Sequence, residues 1–145
     1  MYGNILIPTD GSELAGKAVR HGIALAQRIG AKITALTVSP LFHTFTTDTQ
    51  MIEDTPAQYQ TRRQGLSEKT LGAIADAART AGDAYEIVHL EHEHPYRAII
   101  ETADAKACDL IVMASHGRRG IAAIVLGSET LKGLTHCNIP VLVHR

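Results

Sequence analysis

The segment that most constrains the fold runs from Asp109 to Gly120 and reads DLIVMASHGRRG. Its first half is a continuous apolar stretch with a charge before it and small and polar residues after it, as is typical of a strand buried on both faces. The glycine loop that follows leads through an apolar spacer to Gly127-Ser128-Glu129, where the Ser128 hydroxyl is a helix N-cap candidate. A glycine loop between a buried strand and a helix N-terminus is the outline of a phosphate-binding site.

Strand-like and helix-like segments alternate along the whole chain. β-branched and apolar runs predict strands over 4–10, 31–39, 84–91, 109–114 and 139–144. Apolar residues at helical spacing predict helices over 13–29, 57–81, 95–107 and 128–135. The strand at 84–91 is the most polar and is predicted at a sheet edge, and 41–55, which has no sustained period, is predicted as a surface excursion.

This alternation predicts an α/β fold with a mostly parallel sheet and helices on both faces. In such sheets, ligands bind beyond the C-terminal ends of the strands, where the strand order reverses. The loops after the first and fourth strands are therefore the predicted site. The apolar faces of two helices are predicted to comprise Thr70, Leu71, Ile74, Ala77, Ala78 and Ala81, and Tyr96, Ile99, Ile100, Ala103 and Ala107.

Composition narrows the class of protein. The chain has 145 residues, of which 45% are hydrophobic, and this length suits one domain spanning 1–145. A net charge of −1 without a Lys/Arg block argues against nucleic acid or an anionic membrane as the main partner. No apolar run approaches the roughly 20 residues of a membrane helix and no leader pattern opens the chain, so a cytoplasmic location is predicted. Cys108 and Cys137 form no C-x-x-C motif and are predicted to be small buried thiols.

Three stretches together resemble the universal stress protein family. They are Ile5 to Ser12 (ILIPTDGS), Asp109 to Gly120, and Leu126-Gly127-Ser128 ahead of Pro140 to Val143 (PVLV), in the family's order over nearly the whole chain. The resemblance implies a single-domain, open, parallel five-stranded sheet of order 3-2-1-4-5, Rossmann-like, with the reversal between the first and fourth strands. It also implies a homodimer formed by edge pairing of the last strands, and the apolar Val141, Leu142 and Val143 suit an edge that needs a partner.

The ATP-binding branch of that family resembles G-x-x-G, nine residues, then G and Ser or Thr. The second glycine matches Gly117, the nine-residue spacer is 118–126, and Gly127-Ser128 closes the motif. The first position holds Ala114 instead of glycine. A Cβ there costs roughly 1 kcal/mol or more if the site requires a positive φ, and little if it requires only a slim residue.

Position by position, the resemblance implies a nucleotide site for ATP, with Mg²⁺ as the accompanying ion. Asp10 would approach the ribose or the metal-phosphate region, and Glu129 would join the phosphate contacts. The full implied set is Pro8, Thr9 and Val38 around the adenine, Met113 and Ala114 under the ribose, and Gly117, Gly127, Ser128 and Glu129 at the phosphates, with His116 and Arg118 or Arg119 beside them.

Each of these residues also has a plainer interpretation. Asp10 suits a helix N-cap in its Asp-Gly-Ser turn, and Gly127-Ser128 suits an ordinary loop and cap. His116 suits either a phosphate or the loop backbone, and only one of Arg118 and Arg119 is expected to face the site. The run HLEHEH, with His89, His92 and His94, contains metal-ligating residue types, but its spacing alternates faces on a strand, which favours a solvated strand end.

Three functions fit the sequence. The first is a cytoplasmic, homodimeric stress protein that binds ATP and acts as a nucleotide-dependent sensor or adaptor with unidentified protein partners. It would not be a metabolic enzyme, because the chain has no G-x-x-x-x-G-K-[ST] motif and no obvious base to activate attack on the γ-phosphate. The second is a dimeric interaction module that needs no nucleotide, which Ala114 favours. The third, an adenylating enzyme, is disfavoured because Pro8 to Ser12 (PTDGS) replaces the Ser-Gly-Gly-x-Asp-Ser loop of that class.

Overall fold

The computed structural model describes residues 1–39, 56–82, 84–115 and 134–145. The predicted surface excursion at 41–55 and most of the predicted helix at 128–135 lie outside these ranges, although Leu134 and Thr135 are helical. The elements are β1 (Asn4–Pro8), α1 (Glu13–Ile29), β2 (Lys32–Ser39), α2 (Pro56–Ala81), β3 (Tyr85–Glu91), α3 (Pro95–Ala105), β4 (Leu110–Ala114) and β5 (Val141–His144).

The strands form one five-stranded parallel sheet in the order β3-β2-β1-β4-β5. This confirms the predicted fold class, the strand order and the edge position of β3. β1 lies at the centre, paired with β2 on one side and β4 on the other, and its side chains are buried throughout. The strand order therefore reverses between β1 and β4.

Helix α1 has the bounds that the apolar spacing predicts, 13–29. The Ser12 hydroxyl caps it by accepting from the Ala15 backbone N–H at 3.2 Å, and Gly30 ends it in the left-handed conformation with φ of 69°. The buried face of α1 carries a glycine, Gly22, where the helix crosses the sheet. A Cβ added at Gly22 would lie 2.6 Å from Cδ1 of Ile7 in β1. Glycine thus lets α1 approach the sheet closely.

The core lies on the two faces of the sheet. α1 and α2 cover the face that carries Ile5, Ile7 and Ile33, while α3 and Leu134 cover the face that carries Leu6 and Ile111. Cys108 is buried in the second cluster, and this burial raises the pKa of its thiol; Cys137 is half-buried against the same cluster. In the described ranges, no helix is long and apolar enough to cross a membrane.

Two predicted helix faces differ in detail from the structure. In α2 the buried stripe is Leu71, Ile74, Ala75 and Ala78, and Ala77 is exposed because it lies one residue, about 100° of turn, from that stripe. In α3 the helix ends at Ala105, so Ala107 is not on its apolar face. Ala107 is an exposed turn residue with φ of 52°. Glycine would have signalled this turn, and alanine gives no such signal.

A polar cluster closes the N-terminal end of the sheet. The Asp109 carboxylate accepts from the backbone N–H groups of Gly3 at 2.7 Å and Asn4 at 3.0 Å. Desolvation acts to raise the pKa of Asp109, but these backbone hydrogen bonds outweigh it and the pKa is lowered. Nearby, hydrogen bonds from Lys106 and Lys32 lower the pKa of Glu86. The charged side chains at this end of the sheet are therefore used in hydrogen bonds that stabilise the fold.

Candidate functional site

The turn after β1 lies at the reversal of strand order and is held by side-chain to backbone hydrogen bonds. Thr9 Oγ1 accepts from the Gly11 N–H at 3.2 Å, and Asp10 Oδ1 accepts from the Ser12 N–H at 2.9 Å. Gly11 has φ of 80°, a conformation that glycine adopts without strain. The carboxylate of Asp10 thus shapes the turn, and the N-cap of α1 is Ser12 and not Asp10.

This turn fixes the direction of α1 relative to the sheet. The backbone N–H of Thr9 donates to Leu36 O at 2.9 Å, which ties the turn to β2. The N-terminus of α1 follows directly, so the partial positive charge of the helix lies beyond the C-terminal end of β1. Asp10 is half-buried and Glu13 is exposed, so this edge also carries two carboxylates.

Four other predicted site residues lie at the same end of neighbouring strands and are buried. Pro8 is almost fully buried, and Val38 and Met113 belong to the cluster beneath α3. Ala114 ends β4 and is also buried. The structure brings these residues together at the C-terminal ends of β1, β2 and β4, with their side chains buried in the core.

Ala114 occupies its position without strain. It does not adopt a positive φ, and its methyl group packs against Ala15 and Ala18 at the start of α1. The Cβ therefore fills a gap between β4 and α1. The cost of a strained backbone at this position is therefore absent.

Ser115 extends the candidate site beyond the residues that the sequence singled out. It follows β4, is half-buried, and donates its backbone N–H to His144 O of β5 at 2.9 Å. The start of the glycine loop is thereby connected to the last strand. The remaining predicted site residues are outside the described ranges: His116, Gly117, Arg118, Arg119, Gly127, Ser128 and Glu129.

The histidine-rich segment lies between β3 and α3. Nδ1 of His92 accepts from the His94 backbone N–H at 2.8 Å, which places the proton of the neutral ring on Nε2. That Nε2 lies 3.7 Å from Oε2 of Glu101. In the part of the chain that the structure describes, no three His, Cys, Asp or Glu side chains form a group able to hold a metal ion. His92 serves the turn into α3.

The predicted dimer strand forms the other edge of the sheet. Val141 and Val143 pack partly buried against the cluster beneath α3. Leu142 points to the opposite face and is 38% exposed. The apolar edge is present, and pairing through it stays a prediction.

Comparison with known proteins gives a consistent family. The family model described as "Universal stress protein family" matches residues 1–145. Universal stress protein MJ0531 of Methanocaldococcus jannaschii is 29% identical over 99% of this chain and 82% of its own length. Universal stress protein E of Escherichia coli is 28% identical, and this chain spans 44% of its length.

Solved structures share the fold over nearly the whole chain. The hypothetical protein MJ0577 has a TM-score of 0.78 and 26% identity, covering 99% of this chain and 96% of its own. A universal stress protein in complex with cAMP has a TM-score of 0.70 at 22% identity, covering 99% of this chain and 97% of its own. The universal stress protein of Archaeoglobus fulgidus in complex with dAMP has a TM-score of 0.66 at 20% identity, covering 99% and 98%. The chain belongs to the universal stress protein family.

Proposed function

We propose that this protein binds ATP in the crevice between β1 and β4, and works as a nucleotide-dependent sensor or adaptor in the stress response. The observation that carries the proposal is the reversal of strand order at β1 and β4, with the hydrogen-bonded turn of Thr9 to Ser12 on one side of it. Relatives in complex with cAMP and dAMP support a nucleotide as the ligand class.

Charge supports Mg²⁺ as the partner of the nucleotide. Asp10 and Glu13 place two carboxylates near the start of α1, and a triphosphate adds further negative charge at the same edge. The helix N-terminus offsets only about half an elementary charge. A hard divalent cation bound by carboxylate and phosphate oxygens removes the repulsion, and Mg²⁺ commonly binds in this way.

The sequence of the glycine loop also supports ATP binding. Gly117, the nine-residue spacer and Gly127-Ser128 match the ATP-binding pattern. Ala114 has no positive φ and its methyl group packs against α1, so the proposal requires no strained backbone at this position. That alternative, a dimeric interaction module, predicts the same fold and the same edge strand, so ligand binding separates the two.

The proposed assembly is a homodimer formed through β5 in the cytoplasm. β5 is an edge strand, and the exposed Leu142 beside an open row of backbone groups suits pairing with a second copy. Protein partners would read the nucleotide state of this dimer. Hydrolysis is expected to be slow at most, because the sequence has no G-x-x-x-x-G-K-[ST] motif.

The test is the melting temperature of the purified protein with and without ATP and Mg²⁺, compared with a Gly127→Val/Ser128→Ala variant. A ligand at a hundredfold excess over Kd stabilises the folded state by roughly 2.7 kcal/mol. For a domain of this size, that corresponds to a rise of roughly 5–10 °C. The wild type should show this rise and the variant should not. No rise in the wild type would refute ATP binding and favour the nucleotide-independent module.

A further inference from the structure

Two histidines from distant parts of the chain meet on the face of the sheet that α1 covers. The ring centroids of His21 in α1 and His144 in β5 are 5.2 Å apart, and the ring planes are inclined by 55°. His21 is exposed and His144 is half-buried, so the pair is open to solvent. Within the described ranges, neither imidazole hydrogen-bonds to another residue.

The separation suits two imidazoles that share one metal ion. A Zn–N bond of about 2.1 Å, extended to the centre of the ring, puts each centroid roughly 3.2 Å from the ion. Two such rings that each turn a nitrogen toward the ion at a tetrahedral angle have centroids about 5.2 Å apart, and this is the centroid separation of His21 and His144. We propose that His21 and His144 bind a borderline divalent transition ion of the class Zn²⁺, Ni²⁺ or Cu²⁺, and so connect α1 to β5.

A second close histidine pair in the described ranges, His92 and His94, already uses a ring nitrogen in a hydrogen bond. The rings of His92 and His94 are 6.3 Å apart, and Nδ1 of His92 already accepts from the His94 N–H. The remaining nitrogen of His92 carries the ring proton, so it cannot ligate a metal unless that turn breaks. This pair is therefore a matched control for His21 and His144.

The ion would be held by the two imidazoles and by water. Imidazole nitrogen selects Zn²⁺, Cu²⁺ and Ni²⁺ over Mg²⁺, which prefers oxygen. The charged residues nearest in sequence are the cations Lys17, Arg20 and Arg145, which add no ligand. The site thus differs in ligand chemistry from the proposed ATP and Mg²⁺ site, to which the His144 carbonyl is connected through Ser115.

The experiment is calorimetric titration of tag-free, chelator-treated protein with ZnCl₂, with melting temperature as a second readout. Wild type and a His92→Ala/His94→Ala variant should show the same saturable uptake and the same rise in Tm. His21→Ala and His144→Ala should each lose both, while keeping the metal-free melting temperature. Uptake that survives in either single variant, or its absence in the wild type, would overturn the proposal.

NMR of the wild-type protein with Cu²⁺ tests the same site without substitutions that could affect folding. Substoichiometric Cu²⁺ is paramagnetic and broadens the NMR signals of the imidazoles that bind it. The ring signals of His21 and His144 should broaden first, ahead of those of His89, His92 and His94. Equal broadening of all the histidine signals would contradict a specific site.

Discussion

The close packing of α1 on β1 predicts that Gly22→Ala does not stabilise the protein, although alanine is the better helix former. A Cβ at Gly22 would lie 2.6 Å from Cδ1 and 3.2 Å from Cγ1 of Ile7, and 3.6 Å from Cγ1 of Val112. Ile7 is fully buried and β-branched, so its side chain has little freedom to move aside. The clash must therefore shift α1 or strain Ile7.

The change in the free energy of unfolding caused by Gly22→Ala is the sum of two opposing effects. Overpacking a well-packed core by one methyl group costs about 1–3 kcal/mol. Replacing glycine by alanine within a helix gains about 1 kcal/mol. Gly16→Ala is the matched control, because it lies in the same helix and its added Cβ would meet only Arg20, at an ordinary 3.6 Å.

The assay is equilibrium unfolding in urea for the wild type and both variants. Gly16→Ala should be more stable than the wild type by about 1 kcal/mol, and Gly22→Ala should be less stable than Gly16→Ala by about 1–3 kcal/mol. The helix-propensity gain cancels between the variants, so their difference isolates the clash. Equal stabilisation by both substitutions would refute the close approach of α1 to the sheet.

Three further changes test other parts of the account. Ala107→Gly should stabilise the protein by about 1 kcal/mol in urea unfolding, because glycine removes the strain of a φ of 52°. Asp109→Asn should cost about 1 kcal/mol at pH 7, as its side chain can satisfy only one of the two backbone N–H groups. Because the folded pKa of Asp109 is lowered, its stabilisation is present above the unfolded pKa of about 3.9 and disappears as the pH falls through the folded value; a difference that persists undiminished at pH 2 would contradict this. Asp10→Asn should keep the turn and its stability but weaken the Mg²⁺ dependence of ATP binding, whereas Asp10→Ala should lose about 1 kcal/mol as well; identical Mg²⁺ dependence in Asp10→Asn and the wild type would remove Asp10 from the metal region.

Much of the fold could be predicted because local signals agree with the tertiary structure. The bounds of α1 are those predicted from the apolar spacing, although the N-cap is Ser12 and not Asp10. The parallel sheet follows from the alternation of strands and helices, and the polar composition of β3 indicated an edge. The strand order itself came from the family resemblance, because alternation alone does not select one.

Other features depend on contacts that the sequence does not encode locally. The closeness of Gly22 to Ile7 depends on how α1 crosses the sheet, and the positive φ of Ala107 has no residue-type signal. The φ of Ala114 and its packing against Ala15 and Ala18 likewise depend on how β4 and α1 meet, which the sequence does not encode locally. The meeting of His21 with His144 likewise depends on the parallel placement of β5 beside β4.

Whether ATP binds between β1 and β4 can be decided by NMR titration of ¹⁵N-labelled protein with ATP and Mg²⁺. The account predicts saturable shifts of the backbone amides of Gly11, Ser12 and Ser115 and of the glycine loop from Gly117 to Ser128. The amides of β3, two strands away from β1, should not move. Shifts confined to β3 or to the β5 edge, or no saturable shifts at all, would contradict it.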